Sequence, residues 1–418
     1  MPTEEAPVSD QSRILLALGA LGYEHATIPL HILRTIYSMC RDANFDITVT
    51  LVHREHDWVV SHVEPGDQRH HHYGLAVDYG STTILMQLVD LNAGTVIAEE
   101  KVVNGQVAYG MDILTRITYC LEHEEHPANL QRTTVETFHF LLAQLTESTS
   151  IDTSKCSVMV VSGNTTMVHF LLGLNAWTVF AAPFAPVTAD PGYLWGHELG
   201  MDFEGLLHFT PTASNYVGGD IVSGLLAQMR LNGWINIAGE LNPASSPRIV
   251  YLPDENQYGA VYAHAEESAT GSPLYFSQTD IDQYLDTKAA AFTMMECLLE
   301  SAGIAFEDLY HCYLSGAFPA HSDLESAITI GICPDLLREK YRVLRNSSLD
   351  GARKVLLDHS HLTEAKELLE NIYCVQFASI PDFLVRMQAA KFIPHTDMNR
   401  FPSVQQKLSN PDCGMDKL

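Results

Sequence analysis

The stretch Asp78-Tyr79-Gly80-Ser81-Thr82-Thr83 holds the residue types in this sequence best suited to chemistry. A short apolar run, Leu75-Ala76-Val77, ends in a carboxylate, breaks at a glycine, offers three consecutive hydroxyls and resumes as Ile84-Leu85-Met86-Gln87-Leu88-Val89. That pattern predicts a strand, a tight turn and a second strand. Gly80 lets the backbone approach an anion with no Cβ in the way. Ser81, Thr82 and Thr83 supply O–H and N–H donors, and Asp78 can hold a Mg2+ through water. The same residues equally suit an ordinary hairpin with a polar turn.

Other stretches carry weaker signals. Ser157 to Val161 is apolar and β-branched, stops at Ser162-Gly163-Asn164-Thr165-Thr166 and gives way to a helical run from Met167 to Leu174. A strand, polar turn and helix in that order form a generic anion site, with N-capping by Thr165 or Thr166 as the plainer reading. Tyr310 to Leu314 reads as a strand ending in Ser315-Gly316-Ala317, where a flat ring can lie against the backbone. His70-His71-His72 is the one metal-like run. Adjacent side chains on an extended segment point to opposite sides, so a solvated connector explains it better. The eight cysteines are scattered with no C-x-x-C pair, as expected of reduced, buried thiols.

Positioning these residues requires a sizeable α/β scaffold, and composition allows one. The chain has 418 residues, 46% of them hydrophobic and 18% charged, enough for two or three domains. A formal charge of −27 argues against a nucleic-acid or anionic-membrane surface, so any phosphate binding must be local. No signal segment or membrane-length apolar run is present, which leads us to expect a cytoplasmic protein.

In chain order, residues 1–9 read as a disordered lead and residues 10–68 as a small α+β module, with helices at 12–21 and 28–40 and a strand at 47–52. Residues 69–73 are a linker. Strands at 75–78, 84–91, 95–102 and 157–161 are expected to share one sheet in a domain covering 74–205. Residues 206–395 hold a helix rich in small residues near Asp220 and a long helix capped by Thr279 with Asp282; a polar tail occupies 396–418.

Seven motifs in register resemble the reductive activators of corrinoid proteins over roughly residues 10–395. They are Asp78 to Thr83, Tyr109-Gly110-Met111-Asp112, Gly163 to Met167, Val217-Gly218-Gly219-Asp220, Leu314 to Phe318, Ile330 to Pro334 and Asn346 to Arg353. The resemblance implies an α/β fold of actin-like, ribonuclease H-like ATPase lobes that close over a nucleotide, in the actin, Hsp70 and sugar-kinase superfamily. It implies ATP and Mg2+ as cofactors, with Asp78 near the metal as the catalytic carboxylate. Gly80, Ser81, Thr82, Thr83, Gly163, Asn164 and Thr165 would lie around the phosphates, Asp220 nearby and Gly316 under the adenosine. The implied role is the return of a Co(II) corrinoid to Co(I) in support of methyl transfer, on a corrinoid protein or corrinoid-dependent methyltransferase. A homodimer is left open.

Two departures qualify that expectation. Members of the family carry an iron–sulfur cluster on a leading domain. No cysteine precedes Cys40 here, so no cluster is expected and electrons must come from a separate donor. The family's second phosphate loop, of the form Asp-Ile-Gly-Thr-Asn-Gly-Glu, is missing between the Asp220 helix and the long helix, so the second lobe is expected to be incomplete. Two alternatives follow: a catalytically impaired paralogue that binds a partner or weakly binds nucleotide, and a small-molecule kinase.

Overall fold

A computed structural model describes residues 7–54, 57–181, 185–210, 220–266, 273–315, 323–344, 346–372, 375, 377 and 380–409, without side chains at 220–224. The chain divides into two compact units, Met1–Tyr216 with Ser348–Ile372, and Val217–Ser347 with Tyr373–Leu418.

The first unit opens with α1 (Asp10–Ala20), whose N-cap Ser9 accepts from Ser12 N–H, then α2 (Leu30–Asp42) and a hairpin of β1 (Ile47–Arg54) and β2 (Asp57–Pro65). Ile14, Leu18, Ile36, Cys40 and Val60 form the core of this module. The strand β2 was not legible as such, because Val63 to Asp67 reads as a turn from sequence alone.

Next come β3 (Tyr73–Tyr79), β4 (Thr83–Asp90), β5 (Thr95–Val103), α3 (Ile113–Glu122), α4 (His126–Thr149), β6 (Val158–Gly163), α5 (Thr165–Leu171), the single turn α6 (Trp177–Phe180), β7 (Tyr193–Trp195) and β8 (Leu206–Phe209). The six strands form one sheet in the order β5-β4-β3-β6-β8-β7. β3, β4 and β5 are antiparallel neighbours, while β3, β6 and β8 run parallel. The four expected strands do share one sheet. Alternation along β3 explains its packing: Leu75, Val77 and Tyr79 face the core built with Phe138 and Leu141 of α4, and Ala76 faces the other way.

The second unit contains α7 (Asp220–Leu231), an antiparallel sheet of β9 (Ile249–Leu252), β10 (Gln257–Ala263) and β11 (Leu274–Ser277), and the long α8 (Gln278–Ser301). It continues with β12 (Cys312–Ser315), α9 (Leu324–Ile330) and β13 (Tyr341–Leu344), which pairs in parallel with β12. After β13 the chain enters α10 (Ser347–Leu357) and α11 (Ser360–Glu370). Both lie almost wholly in the first unit, where Leu349, Ala352, Val355 and Leu356 of α10 pack on Ala76 and Val160. The second unit ends with α12 (Phe383–Ala390) and α13 (Pro402–Ser409).

The α8 cap differs from expectation. Ser277 is the N-cap and pairs reciprocally with Asp280, while Thr279 spends its N–H and hydroxyl on Gln257 Oε1 at 3.0 and 2.8 Å. Both Ser277 and Thr279 have an aspartate three residues on. The cross-strand Gln257 decides between them.

Candidate phosphate-binding site

The parallel pairing of β3 with β6 sets Asp78 opposite Ser162 and Tyr79 opposite Gly163. The turns that follow both strands therefore emerge at the same carboxyl edge of the sheet, where ligands of open α/β sheets bind. Gly80 to Thr83 and Gly163 to Thr165, separated by some eighty positions in sequence, are brought together.

Gly80 N–H donates to Thr83 O at 3.1 Å. A Cβ at Gly80 would lie 2.5 Å from that oxygen, so the turn admits only glycine. The turn is also pinned by Asn104, which is fully buried. Its Nδ2 donates to Gly80 O at 2.9 Å and its N–H to Thr82 O at 2.8 Å, while its Oδ1 accepts from Gln106 N–H at 3.0 Å. Thr82 is exposed and Ser81 half-buried, and among the described residues nothing bonds either hydroxyl. A fixed backbone with uncommitted donors is what an anion site needs. Asp78 is half-buried and by alternation shares the sheet face of Ala76.

In the second turn, a Cβ at Gly163 would sit 3.1 Å from Tyr79 O, so the close approach of the two strand ends favours glycine. The cap of α5 is Asn164, whose side chain accepts from Met167 N–H at 3.0 Å; the sequence reading had named Thr165 or Thr166. Thr165 O accepts from His169 Nδ1 at 2.7 Å, and His169 Nε2 accepts from Val187 N–H at 3.1 Å. That donor–acceptor split describes a neutral imidazole, and burial pulls His169 below its ordinary pKa.

A buried polar network, absent from the sequence reading, joins the two turns. Tyr79 OH meets Thr134 Oγ1 at 2.8 Å, and burial raises the phenol above its usual range. Gln106 Nε2 donates to Thr134 Oγ1 at 2.7 Å and to Leu130 O at 3.1 Å. Arg116 Nη1 reaches Gln106 Oε1 at 3.4 Å and Met167 Sδ at 3.8 Å. The available signal was the Tyr109-Gly110-Met111-Asp112 motif, which lies between Gln106 and Arg116.

The remaining candidates are not brought to this edge by anything described. Asp220 begins α7 with its side chain outside the described residues, and Gly316 lies outside them altogether, just after β12. Among the described residues, no group of three or more His, Cys, Asp or Glu could hold a metal. A cavity of about 770 Å3 opens in the N-terminal module, lined by Ile14, Leu18, Val49 and Trp58, and includes neither turn. No helix of the described residues is long and apolar enough to cross a membrane.

A parallel sheet edge with a glycine–hydroxyl hairpin is the framework of an actin-type ATPase lobe, and comparison with known proteins agrees with that class. Three consecutive family models match the chain: the RACo linker region over residues 1–70, the RACo middle region over 73–231, and the C-terminal domain of RACo, the ASKHA domain, over 211–405. The chain belongs to the RACo family. It is 23% identical over 407 residues to the corrinoid activation enzyme RamQ of Eubacterium limosum, a match taking in 75% of this chain and 69% of that protein. The aligned length exceeds the share of this chain it contains, as expected when the relative carries internal residues that this chain lacks. The Co(II) methylated amine-specific corrinoid protein reductase of Methanosarcina barkeri is 29% identical over 102 residues, covering 24% of this chain and 19% of its own length. The solved structure of a reductive activator for corrinoid,iron-sulfur protein superposes with a TM-score of 0.81 at 24% identity, covering 96% of this chain and 79% of that one; at that identity the likeness speaks for the fold.

Proposed function

We propose that this protein reductively activates a corrinoid protein in an ATP-dependent reaction, with electrons delivered by a separate donor protein. The observation that carries the reading is the pairing of the Gly80–Thr83 and Gly163–Thr165 turns at one sheet edge, with the Ser81 and Thr82 hydroxyls uncommitted, in a chain built of RACo domains. The residues fit a phosphate group. Glycine stands where a Cβ would clash at Gly80, and two buried polar atoms, Arg116 Nη2 and Thr166 Oγ1, lack partners among the described residues.

In this reading Ser81, Thr82 and Thr83 hold the phosphate oxygens. Gly163, Asn164 and Thr165 contribute backbone N–H groups, since the Asn164 side chain is committed to its cap. Asp78 is the one carboxylate of the β3 edge, so Mg2+ would be held through Asp78, phosphate and water, the usual arrangement for that ion. Bound there, the metal would supply charge neutralisation on the phosphates. Asp220 and Gly316 are assigned to the nucleotide by resemblance alone. Two reactions are coupled: ATP and water give ADP and phosphate, and one electron from the donor converts Co(II) to Co(I).

A second reading, a catalytically impaired paralogue that binds the partner without turnover, is favoured by a specific observation. Between α7 and α8 the described residues form the three-stranded β9–β11 sheet, with no glycine–hydroxyl hairpin like that at Gly80. The test is to mix the protein with a Co(II) corrinoid protein and a low-potential one-electron donor, following the Co(I) absorbance and phosphate release. ATP-dependent formation of Co(I) with phosphate release is expected. Equal Co(I) formation with and without ATP would leave the impaired paralogue.

A further inference from the structure

Arg116 on α3 is fully buried, and among the described residues no carboxylate bonds it. Its Nε donates to Gly110 O at 2.8 Å, its Nη1 is spent on Gln106 and Met167, and its Nη2 has no partner. Asp112 acts on it only through space, and its Oδ1 and Oδ2 accept from Thr115 N–H at 2.9 Å and Thr115 Oγ1 at 2.6 Å. A guanidinium withdrawn from water without a countercharge is costly. A chain of net charge −27 has ample carboxylates to pair with it, yet among the described residues none does.

Its contacts lead to both turns of the candidate site. Through Gln106 it connects to Asn104, which holds Gly80 O and Thr82 O; through Met167 it meets the residue whose N–H Asn164 caps. Beside Met167, the Thr166 hydroxyl is also fully buried and, among the described residues, unpartnered. Two orphaned polar atoms thus flank the first turn of α5, where the geometry has already gathered backbone and hydroxyl donors.

We propose that Arg116 is the resident countercharge for a phosphate-class anion held on the Gly80–Thr83 and Gly163–Thr165 turns. This rests on the phosphate-binding reading above. Arg116 acts from beneath, without touching the anion, as a positioning residue. The anion supplies the negative charge that the protein withholds, and the guanidinium fixes Gln106, Asn104 and hence the turn. The terminal phosphates of a nucleoside di- or triphosphate and free inorganic phosphates share this chemistry.

The experiment is calorimetric titration of the full chain and its R116M and R116K variants with pyrophosphate, with ADP plus Mg2+, and with adenosine. Removing the charge is expected to weaken pyrophosphate and ADP about tenfold or more, the order of magnitude for a unit charge acting through an intermediate dielectric. R116K should recover most of that affinity, and adenosine should not distinguish the variants. Equal affinity of wild type and R116M for both anions would make Arg116 purely structural and overturn the proposal. If that equality holds while wild type binds ADP, the nucleotide reading survives without it. If pyrophosphate binds in an Arg116-dependent way but ADP binds no better, Arg116 stands and the nucleotide reading falls. Absence of binding by wild type to either anion removes both. Should R116M fail to fold, the Arg116 side-chain Nε–Hε resonance of the wild type, assigned by its loss in R116K, serves instead. It should shift as pyrophosphate saturates, and a static resonance would overturn the proposal.

Discussion

Among the described residues, each unit of this protein buries one lysine or arginine side chain completely, and the two do it in opposite ways. In the second unit Lys288 of α8 directs its ammonium at three backbone oxygens, those of Ala390, Phe392 and Pro394, with the latter two at 2.5 and 2.6 Å. Burial alone pulls the amine toward about 7. A neutral amine, however, has only two N–H bonds for three carbonyls, so the tripod holds the charged form. In the first unit Arg116 keeps one nitrogen unmet. A satisfied buried cation is a staple; the unsatisfied one, set beside two glycine turns, is the one proposed above as the countercharge of a bound anion. The contrast is between one buried cation whose hydrogen bonds are met within its own unit and another that, among the described residues, keeps one nitrogen open.

Acid should break the comparison most strongly, because it adds unmet cations to the first unit. His62 and His208 are buried there, and burial lowers both to about 4. His62 stands near His31, His72 and Lys155, with Glu204 at 3.7 Å; His208 stacks on Tyr193 and is acted on by Asp190, Lys366 and His359. With folded values below the ordinary 6.5, the unfolded chain takes up protons first. Stability is therefore full above about pH 6.5 and is lost as pH falls toward 4, by about 3 kcal/mol for each histidine. Among the described residues the second unit has one comparable histidine, His395, and its Glu325, held at about 2 mainly by Arg338, loses its contribution only below about 4.5. Hydrogen exchange should show the amides of β3 and β6 losing protection at pH 5 before those of α8. Simultaneous loss in both would contradict the assignment.

Within the second unit, Lys288→Met should cost about 3 kcal/mol or more, since it strands three carbonyls that the ammonium now satisfies. Denaturant unfolding followed by exchange in α8 and α12 measures it; a cost under about 1 kcal/mol would mean that water replaces the ammonium. Arg338→Ala should cost less, about 2 kcal/mol. It removes bonds to Glu325 at 2.5 and 2.9 Å and to Asp335 at 2.7 Å, but Lys407 still holds Glu325 and Ser403 still donates to Asp335. The smallest effect should come from Arg116→Met, at about 1 kcal/mol or less without ligand, because the loss of its hydrogen bonds is offset by removal of an unpaired charge. A loss as large as that of Lys288→Met would erase the distinction between the two sites.

The large sheet was legible because its strands are written in apolar runs: Leu75 to Val77, Ile84 to Val89 broken only by Gln87, and Val158 to Val161. The partner strands β7 and β8, only three and four residues long, carry too little pattern to be read, and their place is fixed by pairing with β6 and with each other. The packing of α10 on Ala76 and Val160 is a long-range choice that no local periodicity encodes. Within the site, Gly80 to Thr83 announced itself by residue type. Asn104, Gln106 and Arg116 did not, because an amide in a connector or an arginine on a helix reads as an exposed residue until burial is known.

The most direct test of the central claim, that this sheet edge holds nucleotide phosphates, is calorimetric titration of the full chain with Mg2+ and ADP beside two variants. These are Asp78→Ala and the double substitution Ser81→Ala with Thr82→Val, the latter altering hydroxyls that bond nothing among the described residues. The account predicts binding by the wild type, and affinity about tenfold weaker or worse in each folded variant, as expected for lost hydrogen bonds to a charged group. Unchanged affinity in both variants, or no binding by the wild type, would contradict it.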